Sequence, residues 1–164
     1  MEIQNLTINS ENFKAEDLLR SWYWLCDSEQ LEIAMITKLG DAFLIAPQTG
    51  EILFLDTLDG ELEVIADSIE QFKTLLNDSD FVIDYFSIEL LAPLLALDMP
   101  ENTVYSFKKP PVLGGEVSSE NLELFDVQTH FDDMGELWDE ITKQYDDEEL
   151  ALDIDVPAGD VKEQ

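Results

Sequence analysis

Three glycines ten residues apart, Gly40, Gly50 and Gly60, limit what this chain can fold into more than any other feature. They stand in Gly40-Asp41, Thr49-Gly50 and Asp59-Gly60, and they separate four short apolar stretches at 31–37, 42–46, 52–55 and 62–65. Glycine enters the positive-φ conformations that tight hairpin connections require, so turns repeated at this interval specify short strands folding back on one another. The spacing predicts an antiparallel meander of four strands, with one face covered by helices.

Helical signals flank the meander. Phe13, Leu18, Leu19, Trp22 and Leu25 recur near helical spacing and predict an amphipathic helix over 13–25. Ser68 and Gln71 form a capping box ahead of the apolar face Ile69, Phe72, Leu75 and Leu76. A further helix is predicted over 81–97, kinked or broken at Pro93. Strands follow at 103–107 and 122–127, on either side of the rigid loop Lys109-Pro110-Pro111-Val112-Leu113-Gly114-Gly115. Asp132 is the expected N-cap of a last helix whose inward face is Met134, Leu137, Trp138, Ile141 and Tyr145. The class is α+β, an antiparallel meander sheet packed against helices. A single domain is expected over 1–145, with an acidic, flexible tail over 146–164.

Charge sets the partner class. The chain has 38 Asp and Glu against 8 Lys and Arg, a formal net charge of -30, and the tail holds only a minority of the acids. Such a field repels nucleic acid and anionic membrane and speeds encounter with basic proteins. A 45% hydrophobic content is still enough to build a core. The longest apolar stretch, 88–97, is interrupted by Glu89 and Pro93 and falls short of the roughly 20 residues that a membrane span needs. Met1-Glu2-Ile3-Gln4 lacks the basic and apolar regions of an export signal, and a single cysteine, Cys26, forms no internal disulfide. A cytoplasmic protein is expected.

The inventory for catalysis is thin. One histidine, His130, and one cysteine, Cys26, lie about a hundred residues apart in the sequence, and no nucleotide, hydrolase or zinc motif is present. His130 reads as a capping or buried hydrogen-bonding residue, and Cys26 as a small core residue. With this many acids, close carboxylate pairs arise by chance. The nearest EF-hand pattern, starting at Asp78, has Ile83 where glycine is required, and Asp153-Ile154-Asp155 reads as solvated tail. No metal, cofactor or catalytic residue is assigned. Trp22 and Trp24 cannot share one helical face, which makes Trp24 a candidate contact. The densest acidic surface is the last helix, with Asp132, Asp133, Glu136, Asp139 and Glu140 as candidate partner-binding residues.

The order of Trp22-x-Trp24, Ile36-Thr37-Lys38-Leu39-Gly40-Asp41-Ala42-Phe43, Thr49-Gly50-Glu51-Ile52 and Ala66-Asp67-Ser68 resembles the GAD-like and type VI secretion immunity (Tdi-type) proteins of bacteria. Tyr105-Ser106-Phe107, Leu113-Gly114-Gly115-Glu116, Glu120-Asn121 and His130 are similar to the family's C-terminal signature. That family is in turn similar to the wider SUKH group. The resemblance implies an α+β, non-enzymatic protein that binds and neutralises a cognate toxin, often a nuclease. The acidity independently suggests a basic partner, whose phosphate-gripping cleft an acidic inhibitor can occupy. Gly114, Gly115, Glu116 and Asn121 are expected to form a structural loop. The alternative is a non-catalytic scaffold or regulatory adaptor for a basic cellular protein. A carboxylate-only or metal-dependent hydrolase is the third reading.

Overall fold

The computed structural model describes residues 2–155, with side chains through residue 145. The predicted meander is present as β2 (Glu32–Thr37), β3 (Ala42–Ile45), β4 (Ile52–Asp56) and β5 (Glu61–Ala66), following β1 (Thr7–Ile8). The sheet runs in the order β1-β2-β3-β4-β5, every pair antiparallel. Gly40, Gly50 and Gly60 all take positive φ, between 68° and 85°. β1 was not predicted, because two residues carry no periodicity.

Helices cover both faces of the sheet, not one. Ala42, Leu44 and Leu55 point into a cluster with Trp22, Val127, Phe131 and Met134. Their neighbours Phe43, Ile52 and Phe54 point the other way, toward Phe72, Phe81, Val82 and Phe86. Strands buried on both faces become continuously apolar, and Ala42-Phe43-Leu44-Ile45 and Ile52-Leu53-Phe54-Leu55 carry that mark. The second cluster centres on Phe43, whose ring lies 4.8 Å from Phe54, 5.1 Å from Phe72 and 5.2 Å from Phe86.

The segment 13–25 does not form one helix. It comprises α1 (Ala15–Leu18), a 3-10 turn (Arg20–Trp22) and further turns. After the sheet comes α2 (Ile69–Leu75), where the Ser68 side chain accepts from the Gln71 N–H and the Gln71 carboxamide accepts from the Asp67 N–H. The predicted long helix over 81–97 is divided into α3 (Ser79–Tyr85), α4 (Ile88–Leu91) and a 3-10 turn (Ala92–Leu94). The break falls at Ser87, with φ 52°, six residues before Pro93. It redirects the chain from one core to another: Phe86 is buried in the Phe43 cluster, whereas Leu91 is buried with Leu39, Tyr105, Phe107 and Leu122.

β6 (Thr103–Phe107) and β7 (Leu122–Asp126) form a separate antiparallel ribbon. The last helix, α5, spans Val127–Asp155. It begins five residues before the predicted cap. Asp126 is the capping residue, accepting from the Thr129 N–H and hydroxyl at 3.0 Å each, which frees Asp132 for another role. The α5 backbone thus continues past Tyr145 into the segment read as a tail, and the rest of that segment lies outside the described residues. No helix among the described residues is long and apolar enough to cross a membrane.

Candidate functional site

At about 100° per residue, Asp132, Asp133, Glu136, Asp139, Glu140 and Lys143 fall on one side of α5, opposite the buried Val127, Phe131 and Met134. The candidate acids therefore form one stripe. They are not equivalent. Asp132 accepts three hydrogen bonds from Arg20, from Nη2 at 2.6 Å and from Nε to each carboxylate oxygen at 3.1 Å, and further bonds from Ser21 and Gln128. Burial pushes the Asp132 carboxyl up, but the bonds from Arg20, Gln128 and Ser21 outweigh it and hold the group below the usual aspartate value. Asp139 pairs with Lys143 at 3.3 Å. Asp133, Glu136 and Glu140 are exposed and form no ion pair among the described residues.

The two tryptophans dock on the same helix. Because the segment is not α-helical, Trp22 and Trp24 stack with ring centres 5.6 Å apart. The Trp22 indole N–H donates to the Phe131 carbonyl and the Trp24 N–H to the Ser21 and Gly135 carbonyls, so the two rings reach carbonyls one turn apart. Trp24 is half-buried in this arrangement, and the exposed aromatic is Tyr23 between them.

The Leu-Gly-Gly loop is locked from one residue. Asn121 accepts from the Lys109 N–H at 3.2 Å and donates to the Lys109 and Glu116 carbonyls at 2.8 Å each. A Cβ on Gly115 would lie 1.8 Å from the Lys109 carbonyl oxygen, so only glycine lets the strands of the loop close. The loop leaves Val112, Leu113 and Val117 exposed.

A buried polar network joins the meander to α5. His130 Nε2 lies 2.9 Å from the Gly40 carbonyl, which makes it the donor, and Nδ1 then accepts from the Ser106 hydroxyl at 2.8 Å. Thr57 lies 3.1 Å from Nε2 and 3.0 Å from Asp41 Oδ1, and its N–H also donates to Asp41. A Cβ on Gly40 would sit 2.3 Å from His130 Nε2, so the turn glycine also makes room for the ring. Burial lowers the His130 pKa to about 4 and raises that of Asp41, which the nearby Asp56 raises further. Ser106, His130 and Asp41 are all buried, so this Ser-His pair offers no accessible nucleophile. It is the buried hydrogen-bonding arrangement expected of His130. Cys26 is buried as well, and its thiol is pushed up to about 12 by burial. No group of three or more potential metal ligands occurs among the described residues.

Comparison with known proteins gives a family match over the middle of the chain and a likeness of fold over most of it. Residues 66–137 match the family model described as T6SS immunity protein Tdi1, C-terminal, so the resemblance to type VI secretion immunity proteins holds for this segment. The segment contains α2, α3, α4, the ribbon, the locked loop and the start of α5. A solved structure, described as the crystal structure of Atu4351 from Agrobacterium tumefaciens, is similar over 79% of this chain with a TM-score of 0.53 and 16% identity. The chain spans 65% of that protein's length, and the likeness is one of fold. A search of curated proteins returns no match.

Proposed function

We propose that the protein is a type VI secretion immunity protein that binds a cognate bacterial toxin, a basic nuclease, and blocks its active site without itself catalysing a reaction. The observation that carries this reading is the match of residues 66–137 to the Tdi1 C-terminal family. The net charge of -30 and the outward stripe of α5 support a basic partner. Asp133, Glu136 and Glu140 are the residues free to meet cations, and Asp132 holds the N-terminal segment against α5 through Arg20. A partner that grips DNA phosphates presents a cationic cleft, which a carboxylate-bearing helix fits in charge. The protein acts in the cytoplasm in this reading.

Affinity capture from the native bacterial lysate at low and at high salt, followed by mass spectrometry, tests the reading. One stoichiometric basic protein retained when the salt is raised is the expected result. A mixture of ribosomal and other basic proteins that all wash off would leave the acidity as a non-specific field and remove its support for a particular partner.

A further inference from the structure

A groove of about 470 Å³ lies between the α3–α4 elbow and the segment after the locked loop, lined chiefly by Ile83, Asp84, Ser87, Glu89, Leu90 and Val117. Val117 is 61% exposed and Ile83 38%, so its apolar lining is open to solvent. Asp84 and Glu89 form neither an ion pair nor a hydrogen bond through their carboxylates among the described residues. Both walls are fixed. The elbow turns at Ser87 in the left-handed region, held between the buried Phe86 and Leu91. Across the groove, Val117 follows Glu116, whose carbonyl accepts from Asn121.

Apolar surface beside two unpaired carboxylates matches a side chain with an aliphatic stem and a cationic head. The carboxylates would repel an anion, and an apolar helix seated here would desolvate them without compensation. Arginine suits the site better than lysine, because its planar guanidinium forms paired hydrogen bonds to carboxylates while its stem covers Ile83 and Val117. We infer that this groove receives an arginine side chain of a basic protein partner, as a contact separate in sequence from the α5 stripe. The inference rests on the partner being the basic protein proposed above.

Titration of the isotope-labelled full chain with acetyl-Gly-Arg-Gly-amide, followed by amide chemical shifts, tests it without the partner. The expected result is saturable, millimolar binding that shifts Ser87, Leu90, Val117 and Ser118. Citrulline in place of arginine abolishes it, and Asp84→Asn with Glu89→Gln weakens it about tenfold. Both carboxylates are exposed, so this variant keeps the fold, which its unshifted core amides will report. Shifts that appear equally at Asp133, Glu136 and Glu140 without saturation at the groove, or that persist in the double variant, would overturn the inference. Such a failure leaves toxin binding standing. Failure to capture any toxin would leave the peptide result standing.

Discussion

The side chain of Asn121 takes both backbone groups of Lys109, accepting from its N–H at 3.2 Å and donating to its carbonyl at 2.8 Å. A side-chain amide here imitates one rung of a β-ladder and closes a loop rich in proline and glycine. The same Nδ2 reaches the Glu116 carbonyl, so one residue sets the path of the chain from 109 to 117.

Asn121→Ala removes three hydrogen bonds at a partly exposed site and should cost about 2 kcal/mol, at roughly 0.5–1.5 kcal/mol each discounted for water access. Hydrogen exchange should accelerate at Lys109, Gly114 and Gly115 while the Phe131 amide in α5 stays protected. Equal acceleration in both places would mean that the loop is coupled to the core and not an independent feature.

Most of the meander was legible because Gly40, Gly50 and Gly60 each end a strand, and a turn needing positive φ has few alternatives in sequence. The start of α5 was not. Asp132 is of a residue type that caps helices, and only the position of Arg20, 112 residues from it in sequence, decides that it has another partner. The elbow at Ser87 was hidden for a related reason: no glycine or proline marks it, and two separate cores pull Phe86 and Leu91 apart. For the candidate site, the acidic stripe of α5 could be read from spacing, and the loop glycines from their signature. Of their unequal availability, the Asp139–Lys143 pair could be read from i,i+4 spacing, whereas the Asp132–Arg20 pair, 112 residues apart, could not.

That inequality separates stability from binding. Arg20 is well exposed, so Arg20→Ala should lower stability only slightly. Asp132→Lys should cost more, because it places a second cation beside Arg20 and leaves the Ser21 hydroxyl without its acceptor, although Gln128 keeps the Asp17 carbonyl. Replacing Asp133, Glu136 and Glu140 by lysine should leave the melting temperature nearly unchanged and slow association with the toxin about tenfold at low salt. Stopped-flow association measured against ionic strength distinguishes these effects. An unchanged rate would remove the α5 stripe from the interface.

The buried network predicts two opposing pH dependences whose windows overlap. His130 has a folded pKa of about 4 against an unfolded value near 6.5, so the unfolded chain binds the extra proton between these values. Stability therefore falls as the pH is lowered through that window, by up to about tenfold in the folding equilibrium per pH unit. Asp41 works in the opposite sense. Its raised pKa means the folded state retains a proton that the unfolded chain has released, and stability is lost as the pH rises through the folded value. Asp41→Asn keeps an acceptor for Thr57; it should flatten the fall above about pH 6.5, where His130 no longer titrates, and expose a steeper fall on the acid side, where the two slopes otherwise offset each other. Urea titrations across pH would check it, and an unchanged alkaline slope would assign that slope to another group.

His130→Ala should destabilise the protein by about 2–4 kcal/mol, through a cavity and the orphaned Ser106 hydroxyl, while the Gly40 carbonyl keeps its bond from the Thr57 hydroxyl. Below its lowered melting temperature the variant should still neutralise the toxin, as should Cys26→Ala. Loss of neutralisation by folded protein would give one of these side chains a direct role.

The central claim is neutralisation by occlusion. The most direct measurement is DNA cleavage by the purified cognate toxin, titrated with this protein. The account predicts that cleavage falls linearly to an end point at a fixed molar ratio and that a DNA duplex added in excess slows the onset of inhibition, because both compete for one cationic cleft. A tight complex in which cleavage continues at its full rate would contradict it.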